Sequence, residues 1–122
     1  MEDERLKNKN FIESWKKAFG GIWYAVKTQR NLKIQLVIAV IVIVASIYFK
    51  VNITEAMFLT FATMLVIITE VINTAIEEVV NLCTDKFHPI AKIAKDVSAG
   101  AVVLSALNAV IIAIFVFYSK II

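Results

Sequence analysis

ITEVINTAIEEVVN, residues Ile68 to Asn81, is the stretch whose reading decides the fold. It begins as the end of a hydrophobic run. It then places Glu70, Asn73, Glu77 and Glu78 where a membrane helix ordinarily carries nothing polar. Steps of three, four and seven residues fall on one face of an α-helix, so Glu70, Asn73, Thr74, Glu77 and Asn81 share a stripe. Acids inside a spanning segment are expensive and by default mark a functional site. The same residues also fit a plainer reading. Asn73 and Thr74 would serve as interhelical hydrogen-bonding groups, and Glu70 as a buried carboxylate paired with another chain.

Outward from this stripe the chain is uniformly greasy. Of its 122 residues, 60% are hydrophobic, where a soluble domain carries roughly 45–50%. Three glycines and one proline leave few helix breakers, so a single all-α domain over residues 1–122 is expected. A lone cysteine, Cys83, excludes an intrachain disulfide framework and reads as a small apolar filler. The first residues, MEDERLKNKN, have no apolar core and no small-residue cleavage site, so they do not read as a cleavable signal peptide.

In chain order, residues 1–10 read as a polar, frayed tail. Residues 11–30 place Phe11, Trp15, Phe19, Ile22 and Trp23 on one face, with Lys16 and Lys17 on the other. That is a basic amphipathic helix suited to the membrane interface. Helices containing membrane spans are expected over 32–49, 54–82 and 94–119, each long enough to cross a ~30 Å hydrocarbon core. A charged connection, CTDKFHPIAK, joins the second and third, and its Pro89 is expected to end or redirect a helix. Lys and Arg gather on the N-terminal side and in this connection, whereas the opposite side has only Lys50 and Lys120. The positive-inside rule then predicts a cytoplasmic N-terminus and an outside C-terminus.

Depth turns the stripe into chemistry. If the second span enters the hydrocarbon at Ala56, Glu70 sits ~21 Å along it, about 9 Å short of the cytoplasmic edge. Glu77 arrives ~10 Å further along, at the water boundary. The third span opens at that level with Lys95 and Asp96. Such a set suits phosphoryl transfer to a lipid hydroxyl, which needs a base, Mg²⁺ on the phosphates and cations for the developing charge. Partial desolvation suits Glu70 to accept a proton near neutral pH. Glu77 is a hard oxygen ligand for Mg²⁺, and Lys95 is a point charge for a phosphate. More plainly, Lys95 would obey the positive-inside rule, Asp96 would cap the last helix, His88 would be an ordinary loop residue and Asn108 a packing hydrogen bond. No phosphate-binding glycine loop is present, so a nucleotide would be held by helix side chains and loops.

The run EVINTAIEEVVN at 70–81, together with FHPIAKIAKDVSAGAVVLSALNAVI at 87–111, resembles the signature of the prokaryotic diacylglycerol kinase family. That signature reads E-x-x-N-[ST]-A-I-E-x-x-V-[DN], then A-K-D, with small residues opening the last helix. The resemblance extends back to GIWYAVKTQRNLKIQ at 21–35. The stretches RNLKIQ and HPIAKIAKD look more like the Gram-positive branch, which phosphorylates undecaprenol. The resemblance implies a three-span lipid kinase with an N-terminal surface helix, assembled as a homotrimer with active sites shared between subunits. Its substrates would be a lipid alcohol and Mg-ATP, with no nucleic-acid partner. Glu70 then matches the catalytic base, Glu77 a metal-binding carboxylate that also serves the nucleotide, and Asn73 the positioning amide between them. Lys95 and Asp96 match nucleotide-contacting positions, and the loop around Lys86 to His88 lies where the family approaches the nucleotide. Gln29 occupies the place of a usual second metal-binding glutamate in a K-E-E-R-N segment, and Asn81 stands where many members carry Asp. An amide binds Mg²⁺ more weakly than a carboxylate.

Two other readings stand beside undecaprenol phosphorylation: diacylglycerol as the acceptor, and a non-enzymatic transport or assembly subunit. Against transport, the polar groups cluster at one end of the bundle instead of crossing it. Against a simple anchor, Glu70 and Glu77 would share a face without a reason.

Overall fold

A computed structural model describes residues 2–122, with side-chain surroundings from residue 10 onward. The chain forms four helices: α1 over Glu2–Thr28, α2 over Arg30–Tyr48, α3 over Ile53–Cys83 and α4 over Pro89–Ile121. No strand occurs among the described residues. The expected all-α architecture, with three spans after an N-terminal amphipathic helix, is what the chain adopts. Helices α2, α3 and α4 are each long and apolar enough to cross a membrane, and the protein is a multi-pass membrane protein.

Three local expectations are corrected. The polar tail at 1–10 is helical from Glu2, because Glu, Arg, Leu and Lys are good helix formers and run without a break into the amphipathic segment. The interfacial helix expected to reach residue 30 stops at Thr28. Gln29 breaks it with extended backbone, φ −104° and ψ 113°, and stands as the N-cap of α2 without a side-chain capping bond. Pro89, expected to end or redirect a helix, stands instead at the first position of α4, where no N–H donor is needed. His88 is the N-cap there, its Nδ1 accepting from the Ile90 N–H at 3.1 Å.

The α2–α3 connection is tightly made. Lys50 takes φ 52°, the left-handed conformation in which a helix C-terminus commonly ends. Asn52 then caps α3 in a reciprocal box: its Oδ1 accepts from the Glu55 N–H at 2.8 Å, and Glu55 Oε1 accepts from the Asn52 N–H at 3.0 Å. Glu55 also receives Lys120 Nζ at 2.9 Å, tying the start of α3 to the end of α4. A side chain in the left-handed region is disfavoured by roughly 1–2 kcal/mol, and glycine escapes this. Lys50→Gly is therefore expected to raise the thermal midpoint in detergent micelles by a few degrees without changing turnover, as read by a melting curve and a parallel activity assay.

Helix α3 is the centre. It packs along α4 over most of its length and on α2 more briefly, while the backbones of α2 and α4 do not approach each other closely. The interior is inverted relative to a soluble protein. Its buried residues are Ala25, Leu32, Leu59, Ala62 and Val116 together with Glu70, Asn73, Thr74, Ser98 and Ser105. Most of the large apolar side chains face outward, as suits hydrocarbon surroundings. On α1 these include Phe11, Trp15, Phe19 and Trp23, with Trp15 stacked on Phe19 at 5.6 Å. Cys83 is exposed rather than a filler, since it ends α3 beyond the packed region. Asn108 is likewise exposed and makes no hydrogen bond among the described residues, because it lies on the outward face of α4.

Lengths position the site. Helices α3 and α4 have 31 and 33 residues, about 46 and 50 Å at ~1.5 Å each. Both overshoot a ~30 Å core. Glu70 lies ~25 Å along α3 from its start at Ile53 and Glu77 ~10 Å further, so a core entered at Ile53 would hold Glu70 just inside it and leave the hairpin beyond.

Candidate active site

The stripe on α3 faces inward, as helical periodicity requires. Glu70 is 2% exposed, Asn73 6% and Thr74 4%, so three polar side chains in succession are withdrawn from both lipid and water. Glu77 is half-buried and Asn81 exposed, so the stripe grades from interior to surface along its length. Thr74 is satisfied locally, its hydroxyl donating to the Glu70 carbonyl at 2.9 Å.

Asn73 is fixed at both ends of its amide. Its Oδ1 accepts from the Ser98 hydroxyl of α4 at 2.5 Å, and its Nδ2 donates to Glu77 Oε1 at 3.2 Å. Turning the amide over would set Oδ1 against the Glu77 carboxylate, so Glu77 fixes its orientation, while the Ser98 hydroxyl, which also lies 3.0 Å from the Lys95 carbonyl, holds the other end of the amide in place. The other Glu77 oxygen makes no hydrogen bond among the described residues. The Glu70 carboxylate has a different neighbour: its Oε2 accepts from Gln35 Nε2 of α2 at 3.4 Å. No cation pairs with Glu70 among the described residues.

Beyond Glu77 the end of α3 and the start of α4 enclose an open cleft of about 660 Å³. Lys86, His88, Lys95 and Asp96 line it together with Asn81, Asp85, Phe87 and Lys92. Three lysines against two aspartates make it net positive. Lys95 Nζ donates to Asn81 Oδ1 at 2.7 Å across the hairpin. Asp96 pairs with Lys92 at 2.6 Å within α4. It does not cap α4, since it lies two turns inside the helix and His88 holds that position.

The sequence-derived residues thus fall into two groups. Lys86, His88, Lys95 and Asp96 share the cleft, and Glu70, Asn73 and Glu77 form the chain beneath it. Helix α4 joins the two, because Ser98 contacts Asn73 one turn beyond Lys95. Gln29 belongs to neither group: it sits half-buried at the α1–α2 break, and its side chain makes no hydrogen bond among the described residues. No cluster of three His, Cys, Asp or Glu side chains forms a closed metal site among the described residues. Mg²⁺ does not need one, as it is usually held by one or two carboxylates plus phosphate oxygens. The free Glu77 oxygen fits that role.

Two residues of this site do not stand out in the sequence, Gln35 and Ser98. Gln35 is a lone amide near the head of an apolar span, a signal in itself. Ser98 is visible there only as one of the small residues opening the last helix, and its bond to Asn73 is a tertiary fact.

Comparison with known proteins agrees with this architecture. The model of the prokaryotic diacylglycerol kinase family matches residues 16–117. An undecaprenol kinase of Bacillus subtilis is 36% identical over 119 residues, covering 98% of this chain and 97% of the relative. A diacylglycerol kinase of Synechocystis is 41% identical over 104 residues, covering 84% of this chain and 59% of the relative. With the matched region running from α1 through all three spans, the chain belongs to the prokaryotic diacylglycerol kinase family and is a membrane lipid kinase of that class.

Proposed function

We propose that this protein transfers the γ-phosphoryl group of ATP to the hydroxyl of undecaprenol, at a site on the cytoplasmic side of a bacterial plasma membrane. The observation that carries the reading is Glu70: a carboxylate buried in a lipid-level interior, without a cation, one helical turn from an ordered Asn73–Glu77 pair that leads to a positive cleft. The relative matched over nearly its whole length is an undecaprenol kinase, which favours a polyprenol over diacylglycerol as acceptor.

In this reading the acceptor hydroxyl enters from the lipid side and donates to Glu70. Glu70 takes the proton as the oxygen bonds to the γ-phosphorus and the bond to the ADP oxygen breaks. Asn73 holds Glu77 in place, and Lys95, freed from Asn81, places a positive charge against the phosphates. Lys86, His88 and Asp96 border the rest of the nucleotide. Glu77, together with the phosphates, would hold Mg²⁺, which would supply charge neutralisation there. Gln29, a neutral amide at the break before α2, leaves Glu77 as the carboxylate ligand. The N-terminus and the cleft lie in the cytoplasm, the C-terminus outside. The assembly is a homotrimer with sites shared between neighbours. Its support is the trough over α3 between α2 and α4, whose small side chains Ala62, Ala106, Ala109 and Ala113 admit a neighbour's helix.

The test is phosphate transfer from labelled Mg-ATP by purified protein in lipid nanodiscs, with undecaprenol and diacylglycerol offered separately. Labelling of undecaprenol at a rate well above diacylglycerol is expected. The reverse order would overturn the acceptor, and no transfer to either lipid from folded protein would overturn the reading.

A further inference from the structure

Gln35 lies on α2, six residues and about 9 Å along the helix from Gln29. Its Nε2 donates to Glu70 Oε2, and its Oε1 is buried with no partner among the described residues. Buried acceptors are nearly always paired, so one that is not calls for a reason. Turning the amide over would set Oε1 against the carboxylate, acceptor against acceptor. Glu70 therefore dictates the amide's orientation, and the orphaned Oε1 is the consequence. Packing does not explain the residue. Its neighbours in the trough include Ile38, Val42, Ala62 and Val66, among which a leucine would sit without any unpaired atom.

We propose that Gln35 is a positioning residue for proton transfer: its amide N–H anchors Glu70 Oε2 and so turns Glu70 Oε1 to the acceptor hydroxyl. The terminal torsion of a glutamate is broad and poorly defined by itself. A carboxylate free to swing spends little time in the reactive geometry, and a displacement of about 1 Å costs on the order of 10²-fold in rate. The bond is long at 3.4 Å, as hydrogen bonds in ligand-free sites often are before they tighten on the substrate. The inference rests on the lipid-kinase reading, with Glu70 as the base.

The test is the steady-state kinetics of Gln35→Leu in nanodiscs, beside its thermal midpoint. Expected is a fall of about 10- to 100-fold in kcat, with KM for ATP and for the lipid little changed. The thermal midpoint falls by a few degrees at most, because the change removes one unpaired acceptor, Gln35 Oε1, together with the donor to the buried Glu70 carboxylate. Gln35→His, whose ring N–H reaches a similar distance, retains most of the turnover. Combined with Glu70→Gln, Gln35→Leu causes no further loss, since residues acting as a unit are not additive. Should Gln35→Leu fail to assemble, Gln35→Met carries the same expectation. Near-native turnover in the apolar variant, or a further loss in the double variant, overturns the positioning role while leaving the kinase reading intact. Absence of transfer by the unaltered protein overturns both.

Discussion

Glu70→Gln is expected to abolish nearly all phosphate transfer while leaving the protein folded and assembled. A positioned base contributes ~10²–10⁴-fold, so a loss of roughly 10³, or about 4 kcal/mol of barrier at 1.36 per decade, is the scale to look for. The substitution is nearly isosteric, and the carbonyl of the new amide still accepts from Gln35 Nε2 where Oε2 does now. The rest of the interior is unaffected, because Thr74 bonds the backbone at residue 70 and not its side chain. The buried charge disappears, so the melting midpoint is expected to stay level or rise. A carboxylate held for packing against another chain predicts the opposite pattern: a weakened oligomer with turnover per folded site preserved. Glu70→Asp sharpens the distinction, because it keeps the charge but withdraws it by about one carbon–carbon bond, and a misplacement of that size costs on the order of 10². Measuring initial rates, melting midpoint and oligomer mass on the same preparations separates the two. Turnover of Glu70→Gln within tenfold of the unaltered protein would remove Glu70 from the chemistry.

The placement of Glu70 also shows why some of the fold is legible in the sequence and some is not. Helical periodicity alone puts Glu70, Asn73, Thr74, Glu77 and Asn81 on one face, and the fold buries the first three on that face. Periodicity is a property of the local backbone, so it survives into the structure. The spans are legible for the same reason, since twenty apolar residues have few options but to cross a bilayer. Helix ends are less so. The Gln29 break and the use of Pro89 as a first-turn residue depend on capping and on contacts that a hydropathy pattern does not carry. Which residue meets which across helices is not legible at all. Gln35 and Ser98 are separated from their partners by 35 and 25 positions, and only the packing of α2 and α4 on α3 brings them together. The residues assigned by family resemblance split likewise. Lys86, His88, Lys95 and Asp96 converge on one cleft, whereas Gln29 is not among its lining residues and stands at the break between α1 and α2.

Glu77→Gln tests the other end of the stripe and is expected to act through the metal. The carboxylate spends one oxygen on the Asn73 N–H, and an amide carbonyl at 77 can accept the same bond, so Asn73 and Ser98 keep their places. What the substitution removes is the anionic oxygen left over. Because Gln29 supplies an amide where the family resemblance puts a carboxylate, Glu77 is the carboxylate this reading leaves to hold the metal. Glu78 is exposed on the adjoining face of α3, turned away by the ~100° that separates consecutive helical residues. Mg²⁺ is normally held by only one or two carboxylates and is poorly retained by neutral ligands alone. The Mg²⁺ concentration giving half-maximal rate is therefore expected to rise at least tenfold, the loss of about 1.4 kcal/mol of binding. Part of the rate should return at high Mg²⁺, unlike in Glu70→Gln, where no concentration of metal replaces the base. Glu78→Gln serves as the control and should titrate like the unaltered protein, because its side chain faces neither the cleft nor Asn73. Titrating Mg²⁺ at fixed ATP for the three proteins reads the result directly. An unchanged Mg²⁺ dependence in Glu77→Gln would place the metal on other groups and leave Glu77 as the structural partner of Asn73.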